Sequence, residues 1–165
     1  MFWKRTKETS KLPRVMVCRV DPDETQALAK QLTEHRICEA LPLLTDVARE
    51  AVPICQAASP DLLVLEAMPD AMEKLDDPDK DISGRCELAA EITEVLPACR
   101  AYLTCAEEFR HLEPVMQKAV ETNLICGYCF GDLTEGQLRA WLAEGEVPKT
   151  TGPCAGSKRT EQNFP

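Results

Sequence analysis

The sequence predicts an α/β fold in which five parallel strands form one doubly wound sheet. Short apolar segments alternate with longer amphipathic segments along residues 13–145, which is the pattern of βαβ units. Residues 62–65 are four consecutive apolar residues, too few for a helix and typical of a strand buried on both faces. The 165-residue chain is also long enough for one domain with a substantial core.

Each predicted element has a local basis. The apolar segments 14–20, 37–40, 62–65, 100–104 and 124–129 are the predicted strands. The first helix is expected over 24–35, where Ala27, Leu28 and Leu32 recur at helical spacing. The second begins at Thr45 or Asp46, and Pro53 is expected to kink or interrupt it. The remaining helices are predicted over 85–95, 107–121 and 134–142, the last opening with a capping box from Thr134 to Gln137.

Charge and hydropathy exclude several classes of protein. The net charge of -9 argues against binding to nucleic acid, whose phosphates attract basic proteins. No apolar run approaches the roughly 18 residues that a membrane span needs. The first residues lack a signal-peptide pattern, so a cytoplasmic protein is expected.

The nine cysteines are expected to be reduced core residues, because most lie in apolar segments and the count is odd. Cys126 and Cys129 form a C-x-x-C pair, which leaves a thiol redox protein as a remote alternative. Strand alternation would place these two side chains on opposite faces of the sheet. No metal site is expected, since His35 and His111 fall in predicted helices and no second C-x-x-C pair is present.

Three segments stand apart from the alternating pattern. Residues 1–12 are predicted to be a flexible basic leader, and residues 146–165 a disordered tail, on either side of the domain at 13–145. Residues 70–83 form a long acidic insertion after the third strand. Such an insertion is usually a solvated loop, although a contact surface for a partner is an alternative.

The residues at the strand ends carry a specific pattern. Residues 60–69 read Pro-Asp-Leu-Leu-Val-Leu-Glu-Ala-Met-Pro, Thr104 ends the fourth strand, and Tyr128 is in the fifth. The chain resembles the receiver domains of bacterial two-component response regulators over residues 13–145. This resemblance implies a flavodoxin-like sheet with strand order 2-1-3-4-5. It also implies that Glu66 stands at the phosphoacceptor position, that Thr104 and Tyr128 stand at switch positions, and that Gly84 is the glycine of the motif.

The departures from that family's pattern indicate a degenerate receiver, or pseudo-receiver. Glu66 replaces the acceptor Asp. Asp21 and Asp23 keep two acids of the metal-binding pocket, but Pro22 stands where a magnesium ligand is expected. Gly131-Asp132 replaces the Lys-Pro pair. We therefore expect no cofactor and doubt that Mg²⁺ binds, because phosphoryl transfer needs these charged groups in position.

The expected function is signalling or regulation by a stand-alone interaction domain that is not an enzyme. Its partner is expected to be another protein or a second copy of the chain, contacted through residues 107–145, with Trp141 and Leu142 as anchors. Glu66 could mimic a phosphorylated acceptor by bonding Thr104. The alternative is a receiver that is still phosphorylated, on Asp21, Asp23 or another atypical acceptor.

Overall fold

Five strands form the centre of the structure: β1 Arg14–Cys18, β2 Glu39–Pro42, β3 Leu62–Ala67, β4 Arg100–Cys105 and β5 Gly127–Phe130. The helices between and after them are α1 Pro22–Glu34, α2 Ala48–Ala58, α3 Asp79–Val95, α4 Glu113–Glu121 and α5 Glu135–Glu144. A 3₁₀ segment, Glu107–Leu112, precedes α4. The structure is a computed structural model, and it describes residues 12–67 and 79–144.

All strand pairs are parallel, and the strand order is β2-β1-β3-β4-β5. The predicted fold class and strand order are therefore confirmed. The register places Cys18 beside Leu65, and Glu66 beside Thr104. Because the strands are parallel, the segments that follow β1, β3, β4 and β5 meet at one edge of the sheet.

The two faces of the sheet bury separate cores. Leu63 and Leu65 of β3 pack with α2, α3 and α4 on one face. Leu62 and Val64 pack with α1 and α5 on the other. All four side chains are at most 3% exposed, which confirms the prediction of a strand buried on both sides.

The last helix is held by a buried polar and aromatic cluster on β4. The rings of Tyr102 and Trp141 stack with centroids 4.3 Å apart. Arg100 donates from Nη1 to the Tyr102 hydroxyl at 2.9 Å and to the Trp141 carbonyl at 2.6 Å. The Tyr102 hydroxyl donates to Glu144 at 2.6 Å. The guanidinium thus binds a carbonyl of the last turn of α5, where helix carbonyls lack intrahelical partners.

This cluster corrects the prediction that Trp141 anchors a partner. Trp141 is only 1% exposed and belongs to the core between α5 and the sheet. Leu142, on the same helix, is half-buried and packs against that core. Stacking on Tyr102 favours this orientation of Trp141, because a buried aromatic pair contributes strongly to core packing.

Several element boundaries differ from the prediction, each for a local reason. Helix α2 continues through Pro53 instead of ending there. Helix α4 starts at Glu113, because Pro114 favours the first turn of a helix, and residues 107–112 form 3₁₀ turns. Gly84 lies within α3, and an added Cβ there would meet no atom within 4 Å. The fold therefore does not require a glycine at this position.

The cysteines are largely as predicted. The eight that the structure describes are reduced, and seven of them are buried. However, Cys126 and Cys129 both pack in the core on the α1 and α5 side, so the prediction of opposite faces is wrong. Strand pairing begins only at Gly127, and strict alternation does not extend back to Cys126.

Some predictions concern parts of the chain that the structure does not describe. The basic leader, except for Leu12, and the C-terminal tail from residue 145 lie outside the described residues. So does the acidic insertion as far as residue 78. Within 12–67 and 79–144, no helix is long and apolar enough to cross a membrane.

The stacking of Trp141 on Tyr102 predicts a large effect on stability. Replacing Trp141 with Ala should lower the free energy of unfolding by about 3–5 kcal/mol, because it empties a fully buried site. Urea unfolding followed by circular dichroism measures this loss. Leu142→Ala is the control on the same helix and should cost less, since Leu142 is half-buried. An equal or larger loss for Leu142→Ala would contradict the burial of Trp141.

Candidate functional site at the carboxyl edge of the sheet

A cleft of about 420 Å³ opens at the carboxyl edge of the sheet, on the face covered by α1 and α5. Its floor is apolar and is formed by Val17, Val64, Leu28 and Leu133. Its rim is polar and carries Arg19, Gln31, Glu66, Thr104, Glu107 and Asp132. This edge of an open α/β sheet is where such folds bind ligands.

Arg19 and Glu66 form a two-bond ion pair at the centre of this edge. Arg19 donates from Nε to Glu66 Oε1 at 3.2 Å and from Nη2 to Glu66 Oε2 at 3.1 Å. The Val20 backbone N–H donates to Glu66 Oε1 at 2.9 Å. The Glu66 side chain is only 13% exposed, and that of Arg19 is 30% exposed. The carboxylate is therefore fully engaged by the segment that follows β1.

The register of β1 and β3 explains why these residues meet. Cys18 pairs with Leu65, so Arg19, the first residue after β1, lies beside Glu66 of β3. Arg85 of α3 binds the backbone of Glu66, since its Nε donates to the Glu66 carbonyl at 3.0 Å. Arg85 also binds Asp46 at 3.0 Å. The backbone and the side chain of Glu66 are thus each held by an arginine.

Three carboxylates act on the charge of the Arg19 guanidinium. Besides Glu66, Glu24 of α1 lies 3.5 Å from Nη2, and Asp132 is close enough to act on its charge. The hydrogen bonds to Glu66 raise the pKa of Arg19 the most, and the charges of the three acids add to this against the effect of burial. The positive charge of Arg19 therefore interacts with acids from β3, α1 and the loop after β5.

The structure does not bring Asp21 and Asp23 into the cleft with Glu66. Asp21 caps α1, and its side chain accepts the Asp23 backbone N–H at 2.8 Å. Both acids are exposed, and neither lines the cleft. The positions that face Glu66 are Arg19 and Val20 instead.

The two predicted switch residues lie on opposite faces of the sheet. Thr104 lines the cleft and is 9% exposed. Tyr128 packs against the other core, and its hydroxyl donates to Glu113 at 2.8 Å. The Glu66 carboxylate accepts from Arg19 and from the Val20 N–H, and among the described residues it makes no hydrogen bond with the Thr104 hydroxyl. The structure therefore brings Glu66 and Thr104 to one cleft without joining them.

Gly131 and Asp132 complete the cleft from the loop after β5. Gly131 has φ +92°, which disfavours residues with a side chain, and its N–H donates to the Cys105 carbonyl at 2.8 Å. This bond extends the pairing of β4 and β5 to the mouth of the cleft. Asp132 follows at the rim as an exposed acid.

Sequence reasoning missed Arg19, Glu24 and Arg85 as members of this site, whereas Gly131-Asp132 was placed beside it. Arg19 was counted within the first strand, whose observed end is Cys18. A usable signal was present, since Arg19 interrupts an apolar strand and Glu66 does the same in the neighbouring strand. Two opposite charges at the ends of adjacent parallel strands predict an ion pair.

The described residues offer little for thiol or metal chemistry. Burial raises the pKa of the Cys129 thiol to about 12, which is opposite to the lowered pKa of a reactive thiol. No group of three or more potential metal ligands lies together in the parts of the chain that the structure describes.

Comparison with solved structures agrees with this fold. The chain is similar to a DNA-binding response regulator of the LuxR family from Staphylococcus aureus, with 13% identity and a TM-score of 0.56, covering 82% of this chain and 100% of that one. A response regulator from Thermotoga maritima matches with 16% identity and a TM-score of 0.54 over 81% of this chain and 97% of its own. The signal receiver domain of a modulated diguanylate cyclase from Desulfovibrio desulfuricans matches with 18% identity and a TM-score of 0.57, covering 82% and 94%.

These matches concern structure and not sequence. No protein-family model matches the chain, and no curated protein sequence matches it. The fold is that of response-regulator receiver domains. The comparisons concern the fold alone. The Arg19–Glu66 ion pair at the carboxyl edge is an observation on this chain.

The ion pair predicts unequal effects of two matched substitutions. Glu66→Gln should lower the free energy of unfolding by about 1–2 kcal/mol, because it removes a charged partner from a largely buried guanidinium contact. Glu24→Gln should cost less than about 0.5 kcal/mol, since the Glu24 side chain is 54% exposed. Chemical unfolding of both variants tests this difference, and equal losses would contradict the central place given to Glu66.

Proposed function

We propose that this chain is a degenerate receiver-like domain that acts in signalling or regulation by binding another protein, without aspartyl phosphorylation and without enzymatic activity. The observation that carries this proposal is the two-bond ion pair between Arg19 and Glu66. The reduced cysteines fit a cytoplasmic setting for this role.

The ion pair opposes phosphorylation in two ways. The side chain at the acceptor position is a glutamate whose oxygens both bind Arg19. In addition, phosphoryl transfer needs a metal ion and positioned charges around the acceptor. A guanidinium occupies the space beside the carboxylate, and Asp21 and Asp23 lie outside the cleft. A metal ion beside Glu66 would have to displace the Arg19 guanidinium, which binds both oxygens of the carboxylate.

The surface formed by residues 107–121 and β5 is the best candidate for the partner, and we call it the partner face. The Arg110 guanidinium lies 4.8 Å from the centre of the half-buried Phe130 ring. Tyr128 contacts the same ring edge-on, with centroids 6.0 Å apart. Aromatic residues and arginine are the side chains most enriched at protein interfaces. Trp141 belongs to the core and leaves this face to Arg110, Tyr128 and Phe130.

The alternative of a phosphorylated receiver with an atypical acceptor is tested directly. After incubation with acetyl phosphate and Mg²⁺, the intact mass of the wild-type protein should be unchanged. Glu66→Asp should also stay unmodified, because Arg19 remains beside the shortened carboxylate. A receiver domain of known activity, treated in parallel, shows that the reagent works.

The results of this experiment distinguish a degenerate receiver from one that is still phosphorylated. A wild-type protein that gains a phosphoryl group would overturn the proposal and make this a working receiver. Modification of Glu66→Asp alone would place the loss of phosphorylation in Glu66 and remove the role given to Arg19.

Binding through the partner face predicts a charge-sensitive interaction. The tagged domain is mixed with an extract of the source cells and with an untagged copy of the same chain. The proteins that stay bound to it are then identified. Arg110→Glu should reduce capture of the partner by about tenfold, because it reverses the charge of an exposed side chain that contacts Phe130 on this face. Arg49→Glu is the matched control, since it makes the same change at an exposed position on α2.

An equal loss for Arg49→Glu would show a general charge effect and contradict this surface. Recovery of the untagged copy alone would identify the partner as a second molecule of the chain. If neither a cellular protein nor the copy is enriched over the bare matrix, the interaction role is refuted.

A further inference from the structure

The cleft at the carboxyl edge has the build of a small-molecule site, and it shares only Glu107 with the proposed partner face. Its volume of about 420 Å³ lies in the usual range for such sites, roughly 300–1,000 Å³. An apolar floor lies beneath a polar rim, so a ligand with an apolar body and one polar group would match both.

A buried hydroxyl lines this cleft without a partner. Thr104 is 9% exposed, and its side chain makes no hydrogen bond with any residue among 12–67 and 79–144. A buried hydroxyl without a bond is costly, because it has given up its water contacts. It is therefore ready to bond a ligand that enters the cleft.

The charges around the cleft indicate which charge such a ligand should carry. Arg19 is one cation shared by Glu66, Glu24 and Asp132, which leaves an excess of negative charge. Glu107 at the rim is paired with Arg110, and Arg110 itself does not line the cleft. Asp132 makes no hydrogen bond or ion pair with the residues that the structure describes. Arg19 is the only cation among the described residues that line the cleft, and it is already paired with Glu66, so a phosphate or carboxylate would meet an excess of negative charge.

We propose that the cleft binds a small organic ammonium ion with an apolar body. The ammonium group would lie between Asp132 and the Thr104 hydroxyl, and the apolar body would cover Val17, Val64 and Leu133. A metal ion is the poorer occupant, since no set of three metal ligands is grouped in the described parts of the chain. The proposal does not depend on whether the domain is phosphorylated or which protein it binds.

The test is a set of NMR titrations with three probes that share one apolar ring. The probes are 2-phenylethylammonium, the neutral 2-phenylethanol and the anion 3-phenylpropionate, each added to the ¹⁵N-labelled full chain. The ammonium probe should cause saturable shifts of the amide signals of Leu28, Thr104 and Leu133, with a Kd in the low-millimolar range expected for a ligand of this size. The neutral probe should bind more weakly and the anion least.

Matched variants locate the binding. Asp132→Asn should weaken the ammonium probe about three- to fivefold, while leaving the neutral probe unchanged, because it removes only the charge. Thr104→Val should weaken it about threefold, since valine keeps the shape and loses the hydroxyl. Glu91→Gln removes an exposed acid on α3, on the other face of the sheet, and should have no effect.

Three outcomes would overturn the proposal. These are the absence of saturable shifts with the ammonium probe at about 20 mM, tighter binding of the anion than of the cation, and an equal loss of affinity in Glu91→Gln and Asp132→Asn. Each variant's amide spectrum reports whether it is folded, so a loss of binding is read only against an intact fold. Phosphorylation is measured separately by mass, and failure of one proposal leaves the other untouched.

Discussion

The carboxyl edge of this sheet depends on the pairing of Arg19 with Glu66. The pair joins the segment after β1 to the carboxyl end of β3, the middle strand of the sheet. Through Glu24 it also reaches the first turn of α1, and through the charge of Asp132 the loop after β5. Because both charges are largely withdrawn from water, removal of either one leaves the other without adequate solvation.

Much of the fold could be predicted from local patterns. The apolar run 62–65 and the alternation of strands and helices determined the class, because a strand buried on both faces requires helices on both sides of the sheet. The strand order came from resemblance to a family, since periodicity does not say which strands are neighbours. Boundaries near Pro53 and Pro114 failed because a proline's effect depends on its position in the helical turn.

The site was predictable only in part. Glu66 and Thr104 were placed correctly at strand ends, because the carboxyl ends of parallel strands meet. The partners of Glu66 depend on the register of β1 against β3, which one sequence does not reveal. The burial of Trp141 depends on Tyr102, a residue 39 positions away on another element, and the amphipathic pattern of α5 alone cannot tell a core tryptophan from an exposed one.

The Arg19 guanidinium is a counterion that the chain carries itself. A free metal ion occupies a site in proportion to its concentration, whereas a group attached by the backbone has a high and constant effective concentration beside its partner. Folding and neutralisation of Glu66 are therefore one equilibrium, and chelators have nothing to withdraw from this contact. The charge of Glu66 is balanced wherever the chain is folded, and this balance does not follow the concentration of a free ion.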